Sequence, residues 1–255
     1  MTNPLRITGM KGAAETAANQ SKMETHRKTS LAAGVLYLLT FVSIPTLFLY
    51  IPVHASNYIV GGGPDTGVIV GAILEMIVAL AGFGTAVALY PVIKRQNEGV
   101  ALGFVASRTL EGATIFAGVA CLLSVVTLRQ AGVGAAGLVT GHALVVLYDR
   151  TFLFGQSFMP AVNALLLGSL LYQSRLVPRV LPLLGFIGAA LLVAGDIAVL
   201  FGVIGQHAAL AALAALPIAT WEFSLGVYLV VKGFKPSAIT ALYSRPADAE
   251  LLRAA

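Results

Sequence analysis

Long apolar runs separated by short polar ones set the pattern of this chain. Leu31–Ile51, Val68–Tyr90, Ala101–Leu128, Phe152–Tyr172, Leu181–Ile204 and Ala208–Val231 are rich in Leu, Val, Ala, Ile and Phe on every side, with no polar face recurring at helical period. Each reaches or exceeds the ~20 residues that a helix needs to cross the hydrocarbon core of a bilayer. The pattern predicts an all-α integral membrane bundle of six transmembrane helices. Pro45 interrupts the first span, and Pro91 is expected to end the second. Gly61-Gly62-Gly63-Pro64-Asp65 is a turn signal inside the loop Pro52–Gly67. No Lys-Ser/Thr pair follows these glycines, so they do not read as a phosphate loop. Leu138–Tyr148 is apolar but too short to cross, and reads as an interfacial helix or an outward extension of the fourth span.

Polar segments flank the bundle. Residues 1–28 read as a disordered tail, with Met23 a candidate natural start that would leave 1–22 outside the native chain. The membrane domain is expected over 29–235 and a polar tail over 236–255. Composition agrees with lipid as the solvent, since 58% of the 255 residues are apolar and 11% charged, with a mean hydropathy of +0.88. Soluble domains carry about a quarter charged residues. The net charge of +5 does not point to nucleic acid, because no basic stripe with interleaved aromatics exists. The basic residues sit between spans instead. With a cytoplasmic N-terminus, 13 Lys and Arg fall in cytoplasmic segments and only Arg129 and Arg150 in outer ones. That bias predicts both termini in the cytoplasm. The single cysteine, Cys121, lies in an apolar run and forms no intrachain disulfide.

Arg27-Lys-Thr-Ser-Leu31, Tyr90-Pro-Val-Ile-Lys-Arg-Gln96 followed by Arg108-Thr-Leu-Glu111, Ser174-Arg-Leu-Val-Pro-Arg179, and Leu216-Pro-Ile-Ala-Thr-Trp-Glu222 leading to Lys232-Gly-Phe234 together resemble a bacterial membrane-protein family, domain of unknown function 4386. The resemblance covers about residues 25–235. It implies a multi-pass architecture in the inner (plasma) membrane of a bacterium, and it implies no substrate and no catalytic residue.

Charged residues inside spans are where function or packing is decided. On insertion scales each costs about 2.5–3.5 kcal/mol near the bilayer centre, so each needs a partner or water. They are Glu75, Arg108, Glu111, Asp196 and Glu222. At a rise of about 1.5 Å per residue, Arg108, Glu111 and Glu222 form a candidate buried polar site in the cytoplasmic half. Glu75 and Asp196 lie as secondary positions in the outer half. Arg108 and Glu111 share a helix face, and Glu222 is placed to neutralise the same arginine from the sixth span. Such a group either fixes interhelical packing or lines a polar cavity or proton relay. Pro217, one turn before Glu222, frees a backbone carbonyl near Leu213, as helices beside transporter ion sites do.

His54, His142 and His207 fall at the outer face near Asp65, Asp149 or Glu75, but without ligand spacing such as an i, i+4 pair. Chance placement in polar loops accounts for them, and no metal or cofactor is expected. No His-Glu-x-x-His, Gly-x-Ser-x-Gly or dinucleotide glycine fingerprint is present, and no enzyme is indicated. Gly67-x-x-x-Gly71 and Gly99-x-x-x-Gly103-x-x-x-Ser107 have the small-residue spacing of closely packed helices. Two functions stay open. One is a carrier for a small solute or ion, proton-coupled or not, working through the buried charges. The other is a scaffold or partner subunit whose charges only fix packing.

Overall fold

The computed structural model describes residues 23–244, and the structure is all-helical, with no strand among the described residues. The six expected spans are all present. They are α1 (Met23–Leu49), α2 (Thr66–Ile93), α3 (Glu98–Gln130), α4 (Gly134–Ser174), α5 (Val180–Leu200) and α6 (Ala209–Val231). A short α7 (Pro236–Tyr243) follows. Consecutive spans pack on one another, and α6 returns to α1, so the six close into a ring. Large apolar side chains cover its outside, with Phe48 72% and Leu47 68% exposed. A water-soluble protein does not present so much apolar surface on all sides, whereas a bilayer requires it.

Several boundaries differ from the sequence expectation. Among residues 1–28, which read as a tail, 23–28 belong to α1. Arg27 explains this, because its Nη1 donates to the Leu229 carbonyl at 3.0 Å and its Nη2 to Val230. The first turn of α1 is thus tied to the C-terminal end of α6, where orphan carbonyls need donors. The expectation for residues 1–22 lies outside the described residues.

Pro91 does not end α2, which continues to Ile93. Val92 and Ile93 are buried in the core, and that burial outweighs the one donor that proline lacks. The fifth span stops at Leu200 rather than Ile204, because Gly202 turns left-handed (φ 70°). The amides of Val203 and Gly202 then bond back to the Ala198 and Val199 carbonyls. Gly132 ends α3 in the same way, with φ 66°.

Leu138–Phe152 is an extension of the fourth span at the end remote from both described chain ends, joined to Met159–Ser174 through a widened π turn at Leu153–Phe158. Of the C-terminal segment read as a tail, 236–243 is the helix α7. Its Ala238, Ile239 and Leu242 are one-sided and buried at the end that carries both described chain ends. The rest of that tail, from residue 245, lies outside the described residues.

Glycine allows the closest helix approaches. A Cβ on Gly188 of α5 would stand 2.7 Å from the Ile218 amide nitrogen of α6, directly after Pro217, through which the helix runs unbroken. A Cβ on Gly34 of α1 would lie 2.8 Å from the Gly226 carbonyl oxygen. Backbone meets backbone at both places, so neither neighbour can move aside as a side chain would. Gly188→Val should therefore push α5 off α6 and cost about 1–3 kcal/mol. Thermal unfolding in detergent checks this, and a midpoint unchanged from the parent protein would mean that the helices do not meet there.

Candidate functional site

Arg108 lies in the third turn of α3, with its guanidinium in the middle of the ring and 2% exposed. Its Nη1 donates to Glu111 Oε2 at 2.9 Å, one turn further along the same face. Its Nη2 donates to Glu222 Oε1 of α6 at 2.6 Å. Asn163 of α4 donates to Glu111 Oε2 at 2.7 Å and accepts from Ser107 Oγ at 2.6 Å. The Tyr37 ring of α1 lies 5.2 Å from the guanidinium carbon and the Phe104 ring 5.8 Å. Gly82 of α2 faces the arginine, and a Cβ there would meet Nη1 at an ordinary contact distance of 3.7 Å. Five of the six spans therefore meet at one cation. Trp221, fully buried beside Glu222, brings in α5 by packing on Gly185.

The expected trio of Arg108, Glu111 and Glu222 is thus one connected cluster. One guanidinium faces two carboxylates, so the cluster carries a net negative charge unless one carboxylate holds a proton. It is closely packed, by aromatic rings on one side and by Asn163 and Ser107 on the other. Sequence reasoning did not identify Tyr37, Asn163 or Ser107 as members. Asn163 was the one with a signal, as an amide side chain deep inside an apolar span.

The second layer is built differently. Glu75 of α2 is fully buried and accepts from Tyr148 Oη at 2.8 Å, Gln156 Nε2 at 3.0 Å and Tyr50 Oη at 3.3 Å. Asp196 of α5 accepts from Ser157 Oγ at 2.6 Å, and its Oδ2 is buried without a hydrogen-bond partner. The two carboxylates do not touch each other. Gln156 and Ser157 are consecutive residues of the π turn, and the extra residue in that turn aims one at α2 and the next at α5. No cation stands among the partners of either carboxylate.

Between α1, α4, α5 and α6 this layer opens into a cavity of about 660 Å³, at the end remote from both described chain ends. Its walls include Leu192, Gly195, Ala211 and Ala215, and Asp196 and Ser157 lie inside it. Leu47 of α1 and Leu216 of α6, both exposed to the lipid side, border it, so it opens laterally between those helices. His54 and His207 also line it. His54 Nε2 is 3.0 Å from Asp149 Oδ1, and this hydrogen bond keeps the imidazole protonated to a higher pH than its ordinary 6.5. His142 lines a separate small cleft, beside Ser56 and Val145, that His54 also borders.

The glycine turn at 61–63 is a structural clasp. Arg129 donates to the Gly61 and Gly63 carbonyls at 2.8 and 2.7 Å and to Asp65 Oδ1 at 2.7 Å.

The family model described as Domain of unknown function (DUF4386) matches residues 32–233, and the chain belongs to that family. No curated protein and no solved structure matches it.

Removing a single partner from the Arg108 cluster should be far worse than removing the cluster. Arg108→Met strands two buried carboxylates and is expected to cost about 3–5 kcal/mol. Replacing Arg108, Glu111 and Glu222 together by Met should recover most of that loss. Unfolding of the purified variants in detergent compares the two, and a triple variant no more stable than Arg108→Met would show that the charges do not balance one another.

Proposed function

We propose that this member of the domain-of-unknown-function 4386 family binds a small amphipathic solute in the cavity around Asp196 and acts as a carrier, with the Arg108 cluster locking the helices. The observation that carries this reading is where the free space lies. The cavity adjoins an unpartnered carboxylate oxygen and has apolar walls, the usual composition of a small-molecule site. Arg108 also has one unpartnered buried atom, Nε, but it is paired to two carboxylates, is enclosed, and does not line the cavity. The solute site therefore differs from the one the sequence favoured, while the role given to Arg108 is the packing alternative.

The distribution of charge supports an orientation. Arg27, Lys28, Lys94, Arg95, Arg175, Arg179, Lys232 and Lys235 gather at the end with the described chain ends, against Arg129 and Arg150 at the other. Both termini then face the cytoplasm of a bacterial cell, and the cavity faces outward in the plasma membrane. A solute enters it from the outer leaflet between α1 and α6, with its polar group toward Asp196 and Ser157. The scaffold reading draws on the same locked cluster, but it leaves the cavity without a use.

Cysteine labelling separates the readings. In a Cys121→Ser background, Ala211→Cys should react with a membrane-impermeant thiol reagent from the outer side, and Ser107→Cys should be protected from both sides. Labelling at Ser107→Cys from the cytoplasm would return the solute site to Arg108. Protection at both positions would favour the scaffold.

A further inference from the structure

The mouth of the cavity carries a group of side chains that neither the locking cluster nor the carrier reading uses. His54 follows α1, Asp149 lies in the outward extension of α4, and His207 lies in the turn before α6. These three segments are distant in sequence. Yet each offers one ligand atom, and the three atoms lie within 4.8 Å of one another. His54 Nε2 and Asp149 Oδ1 are 3.0 Å apart. Two donors on one tetrahedral ion at bond lengths of about 2.0–2.1 Å are separated by roughly 3.3 Å. That pair already stands close to ligand spacing, and His207 has to close by roughly 1.5 Å at most.

The surroundings fit coordination. His54 Nδ1 is 2.8 Å from the Tyr50 carbonyl, which can only accept, so Nδ1 carries a proton and the ring is turned with Nε2 toward the cluster, where an arriving metal ion displaces the proton that Nε2 shares with Asp149. A backbone carbonyl fixing the tautomer in this way is the usual outer partner of a metal-bound histidine. The His54 and His207 rings meet edge to face at 5.4 Å, and Tyr148 packs on His54 at 6.3 Å. Gln206 donates to the Asp149 carbonyl at 2.9 Å, while its Oε1 is buried without a hydrogen-bond partner. His54 and His207 both line the cavity, so one side of the group faces it.

We propose that His54, Asp149 and His207 form a binding site for a divalent first-row transition metal of the zinc class, with a coordination position open to the cavity. Two imidazoles and one carboxylate are a donor set that prefers such ions to calcium or magnesium. Three protein ligands leave a position for water or for an oxygen of a bound solute. The metal also joins the loop after α1 to the turn before α6, the two helices between which the cavity opens. The ion thereby governs access as well as offering an anchor for an anionic or hydroxylic head group.

The test uses full-length protein purified without a polyhistidine tag and stripped with EDTA. Calorimetric titration with Zn²⁺ should show one ion per chain at micromolar affinity or tighter, and Co²⁺ should give visible ligand-field bands. His54→Ala, Asp149→Asn and His207→Ala should each weaken Zn²⁺ by at least about 100-fold, whereas His142→Ala leaves it unchanged. Thermal unfolding of each variant confirms that it is folded. No Zn²⁺ uptake by the parent protein, or uptake that survives in the His54→Ala/His207→Ala double variant, would overturn the site. Ala211→Cys labelling in the metal-stripped protein reports on the cavity separately, so either reading can fail alone.

Discussion

A guanidinium in a medium without water has to carry its own solvation, and the rest of this fold is arranged around meeting that need for Arg108. Two carboxylates and two aromatic rings from α1, α3 and α6 take the place of water around its Nη atoms, Asn163 of α4 holds Glu111 in place, and Nε is left without a hydrogen-bond partner. Gly185 lets α5 approach Trp221, and Gly82 of α2 faces the arginine at contact distance. In lipid the apolar effect does not drive helices together, because the tails are as apolar as the side chains. A buried charge with partners on separate helices supplies a reason for one arrangement over others. Leaving any partner out strands a charge in hydrocarbon.

The opposite half of the ring follows another rule. Glu75 and Asp196 have only neutral donors among the described residues, and two of the four come from one π turn. Without a cation to draw α1, α5 and α6 inward, the helices stand apart around the 660 Å³ cavity. One half of the molecule is thus locked and the other open. A bundle whose halves differ in this way has a natural division between a fixed base and a binding region.

Much of the frame was legible in the sequence, and for a physical reason. A bilayer imposes a length and an all-round apolar composition, so six spans stand out in the chain. The clustering of Arg108, Glu111 and Glu222 was legible too, since helix geometry fixes the first pair and depth brings the third level with them. The cavity was not legible. It depends on the π turn at Leu153–Phe158, and nothing in Leu-Phe-Gly-Gln-Ser-Phe marks an extra residue in the turn. The His54, Asp149 and His207 group was hidden for a related reason. Its members lie on a short turn after α1, a helix and the turn before α6, and only the closure of the ring brings them together. Pro91 misled because a proline near a helix end is outweighed by buried residues beyond it.

The central claim is that the Arg108 guanidinium is held fast and kept dry by its partners. Nitrogen-15 NMR of arginine-labelled protein in lipid nanodiscs tests it, with the signal assigned by its loss in Arg108→Lys. The account predicts two resolved Nη resonances, from a guanidinium that cannot rotate, with protons that persist after transfer to D₂O. A single averaged resonance that exchanges at once with solvent would contradict it and would place water at the heart of the ring.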